Sequence, residues 1–184
     1  RLDVDVASRI RDVRDLRIRW ALEEAAIPYE VALIDGVADD SATYRLRQPF
    51  GQVPAYRDDE VEMFESGAVV LHIAAKSRAL APADAAGRVR GATWVLAALN
   101  SVEPHVQNFD DAANSDEAWA AERRPAVEAL LTKRLGALSA WLGDKTYLEG
   151  GFTAGDLIMT TVLRELVDCG VLARFPNLDA YRQR

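Results

Sequence analysis

Phe50-Gly51-Gln52-Val53-Pro54-Ala55-Tyr56 opens a short β-patterned segment, with Gly51 and Pro54 bracketing its entry. Val53 precedes a proline, whose ring disfavours a helical neighbour and biases Val53 to an extended conformation. Pro54, at the first residue of a strand, donates no backbone hydrogen bond. A cis bond before it, rare outside purposeful tight turns, would turn the Val53 N–H and C=O outward, where an extended peptide can pair with them as another strand would. Arg57-Asp58-Asp59-Glu60 then makes a polar hairpin turn, and Val61-Glu62-Met63-Phe64 is the returning strand. Glu65-Ser66-Gly67 follows and opens a helix through Ala68-Val69-Val70-Leu71-His72-Ile73-Ala74. An acidic residue and a serine at a helix start suit the macrodipole and leave N–H groups that can hold a carboxylate. Glu65 is thus placed to take an ammonium, and Ser66, through hydroxyl and N–H, the neighbouring α-carboxylate. Those are the two charges of a γ-glutamyl peptide. An ordinary capped helix has the same signature; the Val-Pro segment just upstream tips the reading toward a peptide site.

Upstream, Leu2, Val4 and Val6 alternate with Asp3 and Asp5, the period of a strand. Asp12 to Ala26 has helical spacing through Val13, Leu16, Trp20 and Leu22, and Pro28 ends it before a strand from Tyr29 to Ile34. Asp39 and Ser41 can cap a second helix through Leu46. The order β-α-β-α-β-β-α is that of a thioredoxin-like domain, its first connection a right-handed parallel crossover and its last two strands a hairpin. Arg78-Ala79-Leu80-Ala81-Pro82-Ala83 is the linker, since Pro82 stops the preceding helix and Asp84 can cap the next. Beyond it the periodicity is helical almost throughout. One long helix is expected from Ala85 to Phe109 with a kink near Pro104, a second from Asp116 to Leu142, a third from Ala154 to Cys169, and a last beginning at Leu178. The expected architecture is an α/β thioredoxin-like N-terminal domain at 1–79 and an all-α helical C-terminal domain at 84–184.

Gln48-Pro49-Phe50-Gly51-Gln52-Val53-Pro54, the Glu65-Ser66-Gly67-Ala68 helix start, the earlier Arg19-Trp20-Ala21-Leu22-Glu23-Glu24-Ala25 with Ile27-Pro28-Tyr29-Glu30, and the late Phe152-Thr153-Ala154-Gly155-Asp156 together resemble the soluble glutathione S-transferases. Order and spacing match along nearly the whole chain, most of all with bacterial members of the theta, beta and zeta-like groups. The resemblance implies glutathione as the γ-glutamyl peptide and co-substrate, a hydrophobic electrophilic small molecule as the second substrate, and a homodimer. It carries Gln52 onto the glycyl carboxylate of glutathione, Val53 with Pro54 onto the backbone pairing, and Glu65 and Ser66 onto the γ-glutamyl end. Gln48 occupies the place of a frequent Asn, and Arg47 could assist as a cation; a polar side chain simply solvated at the surface explains both at least as well. The chain is expected to stop inside its last helix, the one beginning at Leu178; in that family a further C-terminal stretch usually follows.

The chemistry is less well marked. A glutathione thiol, like a free cysteine of pKa about 8.5, is mostly protonated at neutral pH, so a transferase must stabilise the thiolate with a donor, a positive charge or a helix N-terminus. Related enzymes usually place Ser, Tyr or Cys just after the first strand. Aligning on Arg19 to Glu24 puts that position near Asp12-Val13-Arg14, where no hydroxyl or thiol stands. Ser8 is the nearby hydroxyl, several residues too early. Arg14, a guanidinium beside the first helix's N-terminus, is the electrostatic alternative. The bland readings are a solvated charge in an alternating Arg/Asp face for Arg14 and a loop or capping residue for Ser8. Trp94, Asn100 and His105 could line the second-substrate pocket. The leading function is a glutathione transferase that directs the thiolate at an electrophile. A glutathione-dependent reductase or peroxidase is weakened by the lack of a Cys-x-x-Cys pair or an N-terminal Cys. A noncatalytic glutathione- or partner-binding protein on the same fold is favoured by the missing hydroxyl.

Composition fits such an enzyme and goes no further: 184 residues, 49% hydrophobic and 28% charged, can bury a substantial core. No apolar run reaches the roughly 20 residues that span a bilayer. Arg1 to Arg19 is charge-rich with no apolar run of the kind a signal peptide carries. Cys169, the single cysteine, excludes an internal disulfide and fits a reducing cytoplasm. A net charge of -7 argues against nonspecific nucleic-acid binding, and two histidines and one cysteine, widely separated, make a dedicated zinc site unexpected. Thr153-Ala154-Gly155-Asp156 has the form of a capping box with a folding role. Trp94, Trp119 and Trp141 are expected in the core, His72 as a packing or surface residue, and Cys169 as a small buried apolar group.

Overall fold

Strands β1 (Asp3–Ala7), β2 (Glu30–Ile34), β3 (Ala55–Arg57) and β4 (Glu62–Phe64) form one sheet in the order β2-β1-β3-β4 in the computed structural model, which describes residues 3–7, 14–34 and 42–184. β1 and β2 run parallel, with Val4 opposite Val31 and Ala7 opposite Ile34. β3 is antiparallel to β1, and β4 returns antiparallel to β3 as a hairpin. Helices α1 (Asp15–Glu24), α2 (Ala42–Arg45) and α3 (Ser66–Ala75) complete the thioredoxin-like order β-α-β-α-β-β-α. All these elements belong to the first of two compact units, Arg1–Ala83.

The core of this unit follows from helical periodicity. Ile18, Ala21 and Leu22 on α1 and Val69, Val70 and Ile73 on α3 recur at three- and four-residue spacing, and all are fully buried, as is Ala55 of β3. α1 packs against α3. α1 stops at Glu24 because Ala26 turns to a left-handed φ of 53°, while the N–H groups of Ala25, Ala26 and Ile27 fold back onto the carbonyls of Ala21, Glu23 and Leu22. Pro28 then only prolongs a break already made. Asp12 and Val13 at the expected helix start, and the expected caps Asp39 and Ser41, lie outside the described residues.

The second unit, Asp84–Arg184, is all-helical. Asp84 caps α4 (Ala85–Ala97), its carboxylate accepting from the Gly87 N–H at 2.7 Å. The single long helix expected to reach Phe109 is interrupted by a π-turn, Ala98–Val102, before α5 (Glu103–Asn114). Pro104 has no N–H for the Asn100 carbonyl and its ring crowds that position, so the chain widens and the Glu103 N–H donates to Ala98, five residues back. α6 (Ala118–Leu142) buries Leu131, Leu135, Leu138 and Leu142 along one stripe. α7 (Ala154–Arg164) ends five residues short of Cys169: the N–H groups of Glu165, Leu166 and Val167 reach only to carbonyls three residues back, and Gly170 then turns left-handed. A 3₁₀ turn, Val171–Arg174, leads into α8 (Pro176–Arg182), which opens on its proline rather than at Leu178.

Three expectations of burial fail. Cys169 is exposed, its S–H donating to the Leu166 carbonyl at 3.1 Å, because the helix meant to bury it has ended. Trp119 and Trp141 are 43% and 52% exposed. Both lie off the leucine stripe of α6 and pack instead under cations, Trp119 beneath Arg123 and Trp141 beneath Lys145, whose ammonium is 4.4 Å from the ring centre. Among the described residues no helix is long and apolar enough to cross a membrane.

α7 crosses α4 at a point where only glycine fits. A Cβ on Gly155 would sit 2.5 Å from the Trp94 Cβ and 3.1 Å from the Gly91 carbonyl oxygen. Neither neighbour is the free end of a side chain, so the helices themselves must part. Gly155→Ala is expected to destabilise the protein by about 2 kcal/mol, read as a lowered denaturant midpoint at unchanged slope.

Candidate functional site

The loop before β3 is built from beneath. The Val53-Pro54 peptide is cis. Tyr44, buried on α2, donates its hydroxyl to the Gln52 carbonyl at 2.8 Å, which anchors the chain just ahead of Val53. Gln48 is also buried and accepts from the Phe50 N–H at 2.7 Å, while its carbonyl receives the Gly51 N–H at 2.9 Å. Gly51 takes a φ of 65°, a conformation that closes this turn without a Cβ penalty. Gln48 is therefore a turn residue, and Arg47 is ion-paired with Glu62 on β4. The side chain of Gln52 is exposed, and the Val53 N–H and C=O are hydrogen-bonded to no described residue.

At the start of α3, Glu65 adopts φ 70° and ψ 106°, a positive φ that non-glycine residues rarely hold. Its carbonyl accepts the first intrahelical bond, from Val69 at 3.0 Å. The N–H groups of Ser66, Gly67 and Ala68 consequently have no partner within the helix, and they sit at the positive end of its dipole. Ser66 is only 5% exposed, and Arg17 of α1, 3% exposed, donates from its guanidinium to the Ser66 hydroxyl oxygen at 3.4 Å. Two residues before Arg17, the Asp15 carboxyl is pushed up by burial, against the pull of Arg19 at 3.6 Å. Arg14 is exposed immediately ahead of α1; its carbonyl receives the Arg17 N–H, and its side chain does not cap the helix. Ser8 lies outside the described residues.

Asp58 ties the β3–β4 turn to the far half of α3. Its carboxylate accepts from the N–H groups of Glu60 (2.9 Å) and Val61 (2.8 Å), the Tyr56 hydroxyl (3.1 Å) and the Lys76 ammonium (2.8 Å), and lies 2.7 Å from the His72 ring nitrogen. Asp58, Glu60 and His72 bring ligand atoms within 4.8 Å of one another. Lys76 donates to both carboxylates, so an ammonium already serves where a metal cation would. Burial alone would raise the Asp58 carboxyl pKa; the bonds from Lys76, His72 and the turn N–H groups outweigh it and hold the group well below the usual carboxylate range. A depressed folded-state value makes its stabilisation complete above the unfolded value of about 3.9 and lost as pH falls through the folded one. Asp58→Asn is therefore expected to cost about 1–3 kcal/mol at neutral pH, with the gap from wild type narrowing below about pH 4, as followed by urea denaturation across pH.

In the second unit, the Trp94 indole N–H donates to Glu149 at 2.8 Å, and its ring lies 5.5 Å from that of Trp141. Asn100 is exposed within the π-turn, and His105 accepts from Arg134 at 3.2 Å. The three share one helical stretch but have separate surroundings. In the first unit a shallow depression of about 550 Å³ is lined by Leu22, Glu23, Ala26, Ile27, Pro28 and Tyr29, none of them a candidate site residue from the sequence.

Residues 8–75 match the family model described as glutathione S-transferase, N-terminal domain. A probable glutathione S-transferase of rice, named GSTF1, is 30% identical over 154 residues, covering 75% of this chain and 68% of the rice protein. The chain belongs to the glutathione S-transferase family. A glutathione S-transferase of Hyoscyamus muticus is 27% identical over 191 residues, covering 90% of this chain and 85% of that relative. Among solved structures, a Burkholderia graminis glutathione transferase, determined with two glutathione molecules per subunit, superposes with a TM-score of 0.85 at 22% identity, covering all of this chain and 82% of that one. Poplar glutathione transferase F1 superposes equally well, 0.85 at 20% identity over 99% and 90% of the two chains. This glutathione S-transferase thus shares the two-domain fold of both, a thioredoxin-like domain followed by a helical one.

Sequence reading missed Tyr44, Arg17 and the hub role of Asp58. Tyr44 had a usable signal, an aromatic among polar and charged residues in the short helix before the Gly51-Gln52-Val53-Pro54 run. Arg17 had none, because Arg9, Arg11, Arg14, Arg17 and Arg19 look alike in the sequence, and only the fold shows that Arg17 is buried.

Proposed function

We propose that this transferase binds glutathione along the Gln52-Val53-Pro54 segment and the start of α3, and directs its thiolate at a hydrophobic electrophilic small molecule. The observation that carries the reading is the start of α3: buried Ser66 among N–H groups without helical partners, directly behind Glu65 at a positive φ. In this arrangement Ser66 takes the γ-glutamyl α-carboxylate, Glu65 the ammonium, the Val53 backbone pairs with the peptide, and Gln52 reaches the glycyl carboxylate. Glutathione held in this way supplies a nucleophile with no metal or redox group required, and fixing its thiol against a second substrate lowers the barrier by proximity. Arg14 at the N-terminus of α1 and Ser8 are the candidate thiolate stabilisers. Trp94, Asn100 and His105 of the helical unit are the candidates for contacting the electrophile. A homodimer in the cytoplasm with a detoxifying role completes the reading, carried by family likeness alone.

A noncatalytic glutathione-binding protein is the second reading, favoured by the absence of a hydroxyl or thiol at Asp12-Val13-Arg14. Glutathione titration by calorimetry, with thiolate absorbance followed in the ultraviolet at several pH values, separates the two. Saturable binding with a lowered thiol pKa is expected. Binding with an unshifted thiol favours the second reading, and no binding overturns both.

A further inference from the structure

We propose that Arg17 is a positioning residue for carboxylate recognition: acting through the Ser66 hydroxyl, its guanidinium makes binding selective for peptides that carry a free α-carboxylate at the γ-glutamyl end. The inference rests on the reading of Ser66 as the carboxylate contact and adds to it the group that decides how Ser66 makes that contact.

A serine hydroxyl can donate one proton and accept at its lone pairs, and by itself it chooses neither role. A guanidinium has donors only. With Arg17 donating to it at 3.4 Å, the Ser66 oxygen accepts on its α1 side, which turns its own proton away from Arg17 to donate elsewhere. An anion at the start of α3 is the partner that this proton and the helix N–H groups both suit. Arg17 and Ser66 are 3% and 5% exposed, so water does not compete for the bond, and the guanidinium charge acts through a medium less polar than water. Arg17 reaches this place because it lies beside Ile18 on the face of α1 that packs against α3. Neighbouring arginines are disposed otherwise: Arg14 is exposed and Arg19 pairs with Asp15.

The test uses the full chain and two probes, glutathione and an analogue in which a 4-aminobutyryl group replaces the γ-glutamyl group and so removes only the α-carboxylate. Wild type is expected to prefer glutathione by calorimetry. Arg17→Met is expected to lower the affinity for glutathione about tenfold or more while changing that for the analogue less than about twofold. In an Arg17→Met/Ser66→Ala double variant the losses are expected to fall short of additive, since both act on one contact. Equal losses for the two probes, or no loss for either, would mean that Arg17 only packs the helices and overturns the inference. Should Arg17→Met fail to fold, Arg17→Leu, which likewise removes the donor toward Ser66, is read by the same comparison. Failure of wild type to bind glutathione is a different result: it overturns the proposed function itself. Equal wild-type affinity for the two probes removes the carboxylate reading of Ser66 while leaving glutathione binding intact.

Discussion

Asp156→Ala is expected to destabilise the protein by about 3–5 kcal/mol, the largest effect of any single substitution considered. Asp156 has no exposed surface. One carboxylate oxygen accepts from the Leu148 N–H and the Tyr181 hydroxyl, both at 2.9 Å, and the other from the Thr153 N–H and hydroxyl, also at 2.9 Å. The residue thus closes the capping box of α7 and also ties that helix to the loop before it and to α8. Alanine would leave these buried donors without an acceptor, and each unsatisfied group costs about 1–3 kcal/mol before relaxation. Asp156→Asn keeps one carbonyl acceptor and is expected to lose less. Urea unfolding of the two variants against wild type measures the difference. A loss below about 1 kcal/mol for alanine would show that water takes over the donors, and that the site is less closed than its burial indicates.

Glu65→Gly is expected to separate stability from binding. Glycine adopts a positive φ freely, so the substitution relieves the conformational cost of holding φ 70°. Relief is partly offset by the greater freedom of glycine in the unfolded chain, leaving a net gain of about 1 kcal/mol. The same change removes the carboxylate proposed to pair with the glutathione ammonium, and affinity is expected to fall about 10–100-fold, the range for a hydrogen bond to a charged group. Thermal unfolding and glutathione calorimetry on the same preparation give both quantities. A variant that is more stable and binds less tightly would place Glu65 among residues whose strain is retained for function. A variant that is less stable and binds normally would make Glu65 a helix-start residue only.

The sequence by itself determined the order of elements, the break near Pro82, the capping box at Thr153 and the position of Val53-Pro54 ahead of Glu65-Ser66. These are legible because each depends on residues within a turn or two of one another: alternation, helical spacing, a cap with its reciprocal partner, a proline and its neighbour. The ends of helices were read less well, since the stop at Ala26 uses a left-handed residue that is not glycine and the π-turn at 98–102 comes from a proline lying beyond it. Only the tertiary structure decided which side chains meet. Arg17 finds Ser66 across 49 residues, Tyr181 finds Asp156 across 25, and Lys76 finds Asp58 across 18. It also decided that Arg47 is held by Glu62, that Gln48 closes a turn, and that Trp119 and Trp141 lie at the surface. No local pattern marks such pairs: a charged or aromatic side chain has the same chemistry wherever it stands, and its role is set by the packing of helices and strands that brings one partner near and excludes water from both.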